Sequence, residues 1–364
     1  MISINNFKDK KDFQDLNNTN FKPCLTLGHF NSTLDTEKIE FSNSQIINDL
    51  RKAGECHKLV RNQLQNYIKP GMKIFDICKF IENSIITNFK QNNLKSGIGF
   101  PVGYSINNVI AHDTAINNDT RILNFNDVVK IDYGTHVNGR IIDSAFTLSY
   151  NPKYTPLLEA TKEATWKAIK MAGPDAYVND ISKEINEIIE SYEIEIDGKH
   201  YGIKSVGDLG GHNIKPYIIH GGTLILCKPS ENNLIKKMRL NAGECYAFET
   251  FASTGTGIFL SDEANNNLYS LKFDHEKKNF KFDITNKLYF HIKNTYGTLP
   301  FCSRWLENKF GIKYKIGISE LSKLNIINSY PPLYDIKNSY SSQLEHTVFI
   351  HDYGKEVLSY SNDY

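Results

Sequence analysis

The sequence predicts an α+β domain, on three observations. Two amphipathic helical stretches stand early in the chain, segments of strand-like alternation dominate its middle and end, and a mainly helical stretch interrupts the later strands. With 364 residues, 40% hydrophobic and 23% charged, the chain has the make-up of a globular protein able to bury a large core. The net charge of +1 excludes a global field that would steer the protein to nucleic acid or to an anionic membrane.

Residues 1–35 are polar, rich in Asn and Lys, and weakly periodic, and are read as an irregular arm; residues 36–364 are read as one domain. A helix is expected from about Ser44 to Tyr67, with Ile46, Ile47, Leu50, Leu59, Val60 and Leu64 as its apolar stripe. Pro70-Gly71 ends it, and a second helix runs from about Ile74 to Phe89. Val128–Tyr133 and Arg140–Ser149 flank a turn region and read as a β-hairpin. Helical periodicity returns from about Leu157 to Glu193, and Cys245–Ser253 and Gln343–Ile350 again alternate like strands. Between those two strands, residues 263–329 read as an insertion: a hairpin (Leu268–Phe273, then Phe280–Ile284), then helices at Thr285–Asn294 and Phe301–Asn308. The six cysteines are scattered, without a CxxC pair, and read as reduced thiols. No apolar run reaches the length of a membrane span and the first residues lack a signal-peptide core, so a cytoplasmic protein is expected.

The chemistry lies in acidic residues where strands should be apolar. Asp132 sits within Val128-Val129-Lys130-Ile131-Asp132-Tyr133, and Asp143 within Ile141-Ile142-Asp143-Ser144-Ala145-Phe146. Carboxylates are poor strand formers, and folding the hairpin symmetrically about Val137 and Asn138 would set these two face to face. Glu249, in Ala247-Phe248-Glu249-Thr250-Phe251, and Glu345, in Gln343-Leu344-Glu345-His346-Thr347, repeat the anomaly. Either Asp alone could be a strand-edge residue facing water; four carboxylates bracketed by apolar neighbours carry a large desolvation cost unless cations neutralise them. Two divalent cations balance four carboxylates and leave room for one bridging hydroxide. His212, in Gly210-Gly211-His212-Asn213, offers a nitrogen ligand from a glycine-flanked loop. Hard oxygens with one imidazole suit Mn, Fe, Co or Zn without selecting among them.

With these motifs in view, the sequence resembles the type 2 methionine aminopeptidases, members of the pita-bread peptidase fold. The resemblance runs from about residue 40 to Tyr364. It is carried by Gly99-Phe100-Pro101, Lys130-Ile131-Asp132-Tyr133-Gly134-Thr135-His136, Gly139-Arg140-Ile141-Ile142-Asp143-Ser144-Ala145-Phe146-Thr147, Ile219-His220-Gly221-Gly222, Tyr330-Pro331-Pro332-Leu333 and Leu344-Glu345-His346-Thr347. It implies an antiparallel sheet core covered by helices, with residues 263–329 as the insertion of the type 2 enzymes. Asp132, Asp143, His212, Glu249 and Glu345 would bind two divalent metal cations per subunit (Co, Mn, Fe or Zn), with Asp143 touching both ions and Glu345 bridging. His212 and Glu249 would complete the second ion's shell.

The implied activity is co-translational removal of the initiator methionine from nascent polypeptides whose second residue is small and uncharged. A hydroxide bridging the ions would attack the scissile carbonyl, and Glu249 would pass its proton to the leaving amine. His112, in Val109-Ile110-Ala111-His112-Asp113, matches the histidine that contacts substrate and reacts with fumagillin-type epoxides. His220 matches a second substrate-contacting histidine. Phe100, Ile219, Phe251 and Tyr330 match the walls of the methionine pocket, where a lone aromatic would otherwise be read as core. The partners implied are the N-termini of nascent chains and a transient contact with the ribosome, with no nucleic acid or membrane bound directly and a monomeric state.

Two departures from the family pattern concern the pocket. A further wall histidine is absent from Ser261–Tyr269, where Asn266, Asn267 or Leu268 falls near its place, and Pro300 stands where a small residue is expected. Three alternative readings fit the sequence less well. Prolidases share the ligands but carry an extra N-terminal domain, non-catalytic relatives have lost ligands, and type 1 enzymes lack the insertion.

Overall fold

The structure is a computed structural model describing residues 45–90, 94–276 and 279–361; the arm expected at residues 1–35 lies outside the described residues. Ile47, Leu50, Val60 and Leu64 recur at helical spacing and are buried on one face of Gln45–Tyr67 (α1). Ile74, Ile77, Ile81 and Ile85 do the same in Ile74–Phe89 (α2), which closes on Lys90 in the left-handed conformation at φ 47°. Both helices cover one face of an antiparallel sheet in the order β1 (Ser96–Ile106), β2 (Val128–Val137), β3 (Arg140–Ser149).

A second sheet is built from β4 (Gly210–Ile214), β5 (Leu224–Leu226), β6 (Cys245–Ser253), β10 (Ser341–His351) and β11 (Gly354–Val357), in the order β11-β10-β6-β4-β5. The helices Thr155–Met171 (α3) and Val178–Glu190 (α4) pack on it through Leu157, Ala164, Ile181 and Ile185. The two sheets meet where β3 runs beside β10, and hydroxyl groups fasten the seam. Ser144 Oγ donates to the Glu345 carbonyl at 2.7 Å, and Thr147 Oγ1 donates to the Gln343 carbonyl at 2.8 Å. Thr347 Oγ1 accepts from the Asp143 N–H at 2.7 Å and donates to the Asp143 carbonyl at 2.5 Å. Backbone groups that would otherwise be orphaned between two sheets are thereby satisfied.

The hairpin register differs from the symmetric folding about Val137 and Asn138. Val137 pairs with Arg140, Gly134 with Asp143 and Asp132 with Ala145. The turn is therefore Asn138-Gly139, with φ of 48° and 75°. Those values are the type I′ pattern, which needs φ > 0 at both central positions; Asn-Gly accepts it and β-branched Val137 does not. Asp132 and Asp143 consequently lie on one face as diagonal neighbours two pairs apart, not directly opposite.

Within residues 263–329 three short strands, β7 (Leu268–Leu271), β8 (Phe301–Cys302) and β9 (Ile327–Ser329), form a sheet in the order β8-β7-β9. The helices Asp283–Thr295 (α5), Ser303–Phe310 (α6) and Tyr314–Lys323 (α7) share a separate small core with it around Leu288, Phe301, Leu306 and Leu321. The hairpin expected at Leu268–Phe273 and Phe280–Ile284 does not form. Residues from Asp283 onward belong to α5, and β7 finds both partners far along the chain. Sequence-adjacent alternation gave way there to long-range pairing, a tertiary choice that local pattern does not encode. One buried ion pair ties this region to the rest: Arg304 grips Glu82 of α2 with Nη2 at 2.6 Å and Nη1 at 2.9 Å.

Among the described residues no helix is long and apolar enough to cross a membrane. Cys56, Cys78, Cys227, Cys245 and Cys302 are free thiols, all buried. Burial pushes the last four up to about 12, so they stay protonated and inert.

Candidate metal centre

The sheet seam brings the anomalous carboxylates together. Register places Glu249 of β6 directly opposite Glu345 of β10, and Ala247 opposite His212 of β4. With a two-residue side-chain period, His212, Glu249 and Glu345 project from one face. Asp143 arrives from β3 across the seam and Asp132 from β2 beside it.

Two overlapping groups result. Asp143, His212 and Glu345 form one and Asp132, Glu249 and Glu345 the other, with the ligand atoms of each group within 4.8 Å of one another. His212 Nε2 stands 3.6 Å from Asp143 Oδ2. Glu345 belongs to both groups and is fully buried, and neither of its side-chain oxygens has a hydrogen-bond partner; Asp132 Oδ1 is likewise without one. Like charges directly opposite in a sheet repel, and a buried ion without a partner is costly. Protons show the strain. Burial pushes the Asp132 carboxyl up to about 7. Asp143, Glu249 and Glu345 are driven well above the carboxylate range, by burial first and by the neighbouring carboxylates second: Asp132 for Asp143 and Glu249, Asp143 for Glu345. Burial pulls His212 down to about 4, leaving a neutral imidazole free to offer a lone pair. An oxygen-rich set with one neutral nitrogen, carrying unsatisfied buried acceptors, fits divalent metal.

Gln343 was not singled out in the sequence. Its Nε2 donates to Glu249 Oε1 at 3.2 Å and lies 3.5 Å from Asp132 Oδ2, so it orients two of the carboxylates. Its signal was present: a polar residue two positions before Glu345 shares that residue's face of the strand. Thr347, two positions after, holds the backbone of Asp143 by the same logic.

The two histidines expected at the substrate side stand beside this cluster. His112 is held at φ 66°, a left-handed backbone that a non-glycine residue adopts at a cost. Burial lowers its ring to about 4, and its buried Nδ1 has no hydrogen-bond partner among the described residues. His220 meets the His212 ring edge-on at 4.4 Å, and the walls of the cleft, then the His212 and His112 rings, keep it neutral. Tyr330 lies 5.9 Å from the His112 ring and 5.7 Å from the His220 ring, and its hydroxyl meets Ser270 Oγ at 2.9 Å. Phe100 rests on Gly134, where an added Cβ would come within 2.3 Å of its ring. Ile219 packs with Phe100 in one core cluster, while Phe251 is buried in another and shares a strand face with Glu249. His346 points elsewhere, with its Nδ1 2.9 Å from Ser359 Oγ and its ring against Trp166.

The profile of metallopeptidase family M24 matches residues 48–292. The methionine aminopeptidase 2 of Schizosaccharomyces pombe is 43% identical over 335 residues, covering 91% of this chain and 77% of that protein. The chain belongs to family M24, among its type 2 methionine aminopeptidases. The methionine aminopeptidase 2A of Arabidopsis thaliana is 38% identical over 334 residues, covering 91% of this chain and 75% of that protein. Among solved structures, a thermophilic Arx1 superposes with a TM-score of 0.75 at 18% identity, covering 88% of this chain and 91% of that one. A methionine aminopeptidase from Thermotoga maritima gives 0.58 at 17%, covering 88% and 98%. At those identities the likeness concerns the fold, which is the pita-bread fold of this family. As a member of the type 2 group, this chain is a metallopeptidase that removes N-terminal methionine, and its substrates are peptides that begin with that residue.

Proposed function

We propose that methionine removal here runs on a dinuclear centre. Asp132, Asp143, His212, Glu249 and Glu345 hold two divalent cations, drawn from Co, Mn, Fe or Zn. The observation that carries this reading is Glu345: buried, common to two ligand groups, and with both oxygens unpartnered. When bound, such a pair of ions supplies Lewis acidity that polarises the scissile carbonyl and acidifies the attacking water. The protein's own groups do the rest. Glu249 carries the proton from water to the leaving amine, steadied by Gln343. His112 and His220, both kept neutral, hydrogen-bond the substrate around the reacting carbonyl.

Methionine itself is received by Phe100, Ile219, Phe251 and Tyr330, apolar surfaces suited to a thioether. Substrates are nascent chains with a small, uncharged second residue, processed co-translationally in the cytoplasm by a monomer that touches the ribosome transiently. Purified protein with Mn or Co should release methionine from Met-Ala-Ser, whereas an N-acetylated peptide should be spared. A folded sample inactive with all four metals would refute the dinuclear hydrolase. Covalent addition of a fumagillin-type epoxide, seen as an increase in intact mass lost in His112→Ala, tests the pocket independently of the metals.

A further inference from the structure

A cavity of about 740 Å³ continues outward from the site and contains none of the five proposed ligands. It shares Ile219 and Tyr330 with the methionine pocket and reaches His220 beside the reacting carbonyl, but leaves out Phe100 and Phe251, so it leads away from that pocket. Its walls are Ile218–His220 with Thr298 on one side, and Ser270–Asp274 with Ile327–Tyr330 on the other. It is too large for one side chain and falls in the size range of sites that hold an extended ligand.

One wall is an open strand edge. In the order β8-β7-β9, strand β9 pairs only with β7, with Asn328 against Ser270. The Tyr330 N–H donates to the Leu268 carbonyl and the Lys272 N–H to the Ile326 carbonyl. In an antiparallel ladder this turns the main-chain groups of Ile327 and Ser329 away from β7. Those groups have no hydrogen-bond partner among the described residues, and both residues line the cavity. A free strand edge is a ready template for another extended chain.

The edge also has a direction. Tyr330 stands at the site end and Ile327 at the far end, beside Lys272 and Asn325. A peptide whose first residue sits at His112 and His220 must run from Tyr330 toward Ile327, antiparallel to β9. Between them, Asn328 Nδ2 donates to Ser270 Oγ at 3.1 Å, and the same hydroxyl meets Tyr330, so the face beside the edge is pre-ordered and polar.

We propose that the substrate residues after the cleaved bond bind here as an added strand on β9, exchanging main-chain hydrogen bonds with Ser329 and then Ile327. At ~3.3 Å per residue the three-residue strand receives about three substrate residues. This subsite rests on the catalytic reading above, and it makes recognition beyond the second residue depend on backbone, not on side-chain identity.

The test compares kcat/KM for Met-Ala amide with that for Met-Ala-Ser-Ala-Ser-Ala, using the metal-loaded full chain. The longer peptide should be favoured about tenfold. Ser329→Pro deletes an N–H that faces away from β7 and should bring the ratio close to one, while Ser329→Ala, which keeps that N–H, should preserve it. N-methylation of the third and fourth residues of the long peptide should collapse the ratio in the unaltered chain, a readout independent of variant folding. A ratio near one at the outset, a ratio surviving both Ser329→Pro and N-methylation, or a loss equal in Ser329→Ala would each overturn the proposal. If neither peptide is cleaved, the catalytic reading falls, and the subsite with it.

Discussion

Two buried charge clusters in this molecule are solved in opposite ways. At Glu82 the carboxylate is 2% exposed, and it accepts from Arg304 Nη1 and Nη2 and from Trp305 Nε1. The Arg304 Nε donates in turn to the Ala115 carbonyl at 3.0 Å. Every charge there has a protein partner, and the cluster is a clasp between α2 and the 263–329 region. At Glu345 the carboxylate is equally buried, faces Glu249, and has no donor on either oxygen. Burial alone thus does not mark a functional carboxylate; burial left unanswered by the protein does.

That contrast can be broken at either end. Asp143→Ala removes a proposed ligand from one of the two groups and should cut methionine release from Met-Ala-Ser by about 10³-fold, since dinuclear centres contribute several kcal/mol at ~1.4 kcal/mol per tenfold. Circular dichroism should show the fold unchanged. Glu82→Ala strands Arg304 in the interior and should destabilise the protein by about 3–5 kcal/mol, read by urea unfolding, with metal affinity unchanged. If Glu82→Ala weakened metal binding while Asp143→Ala left activity intact, the two clusters would have been assigned the wrong roles.

Stability against pH sharpens the same point. Burial holds Asp132 at about 7, far above its unfolded range. A folded carboxyl with a raised pKa binds extra protons, and the stability they lend is lost as pH rises through the folded value. Raising the pH from about 6.5 to 8.5 should therefore lower the melting temperature of chelator-treated protein, and adding Mn should abolish that fall. The window stops at about 6.5 because His112 and His212, held near 4, act in the opposite sense below it. The smallest effect belongs to an exposed pair: breaking Lys183–Glu187, 3.8 Å apart, with Lys183→Ala should change stability by less than about 0.5 kcal/mol.

The carboxylates in apolar strands were legible because the two-residue strand period turns an acidic interruption into a statement about one sheet face. The early helices were legible for the same reason, through their apolar stripes. The hairpin register departs from symmetric folding because the φ preferences of Asn138-Gly139 set the turn, whatever the positions of the two charges. The pairing of β7 with β8 and β9 was not legible. Strand partners some 30 and 60 positions away along the chain leave no local trace. Gln343 and Thr347 escaped notice since neither is ionisable, although both lie on the same strand face as Glu345.

The dinuclear centre is tested most directly by counting metal. Protein equilibrated with excess Mn and freed of unbound ion should carry two ions per chain by elemental analysis, and Glu345→Gln, which alters the carboxylate common to both groups, should lower that number. A chain that binds at most one ion, or a Glu345→Gln variant that still holds two, would contradict it.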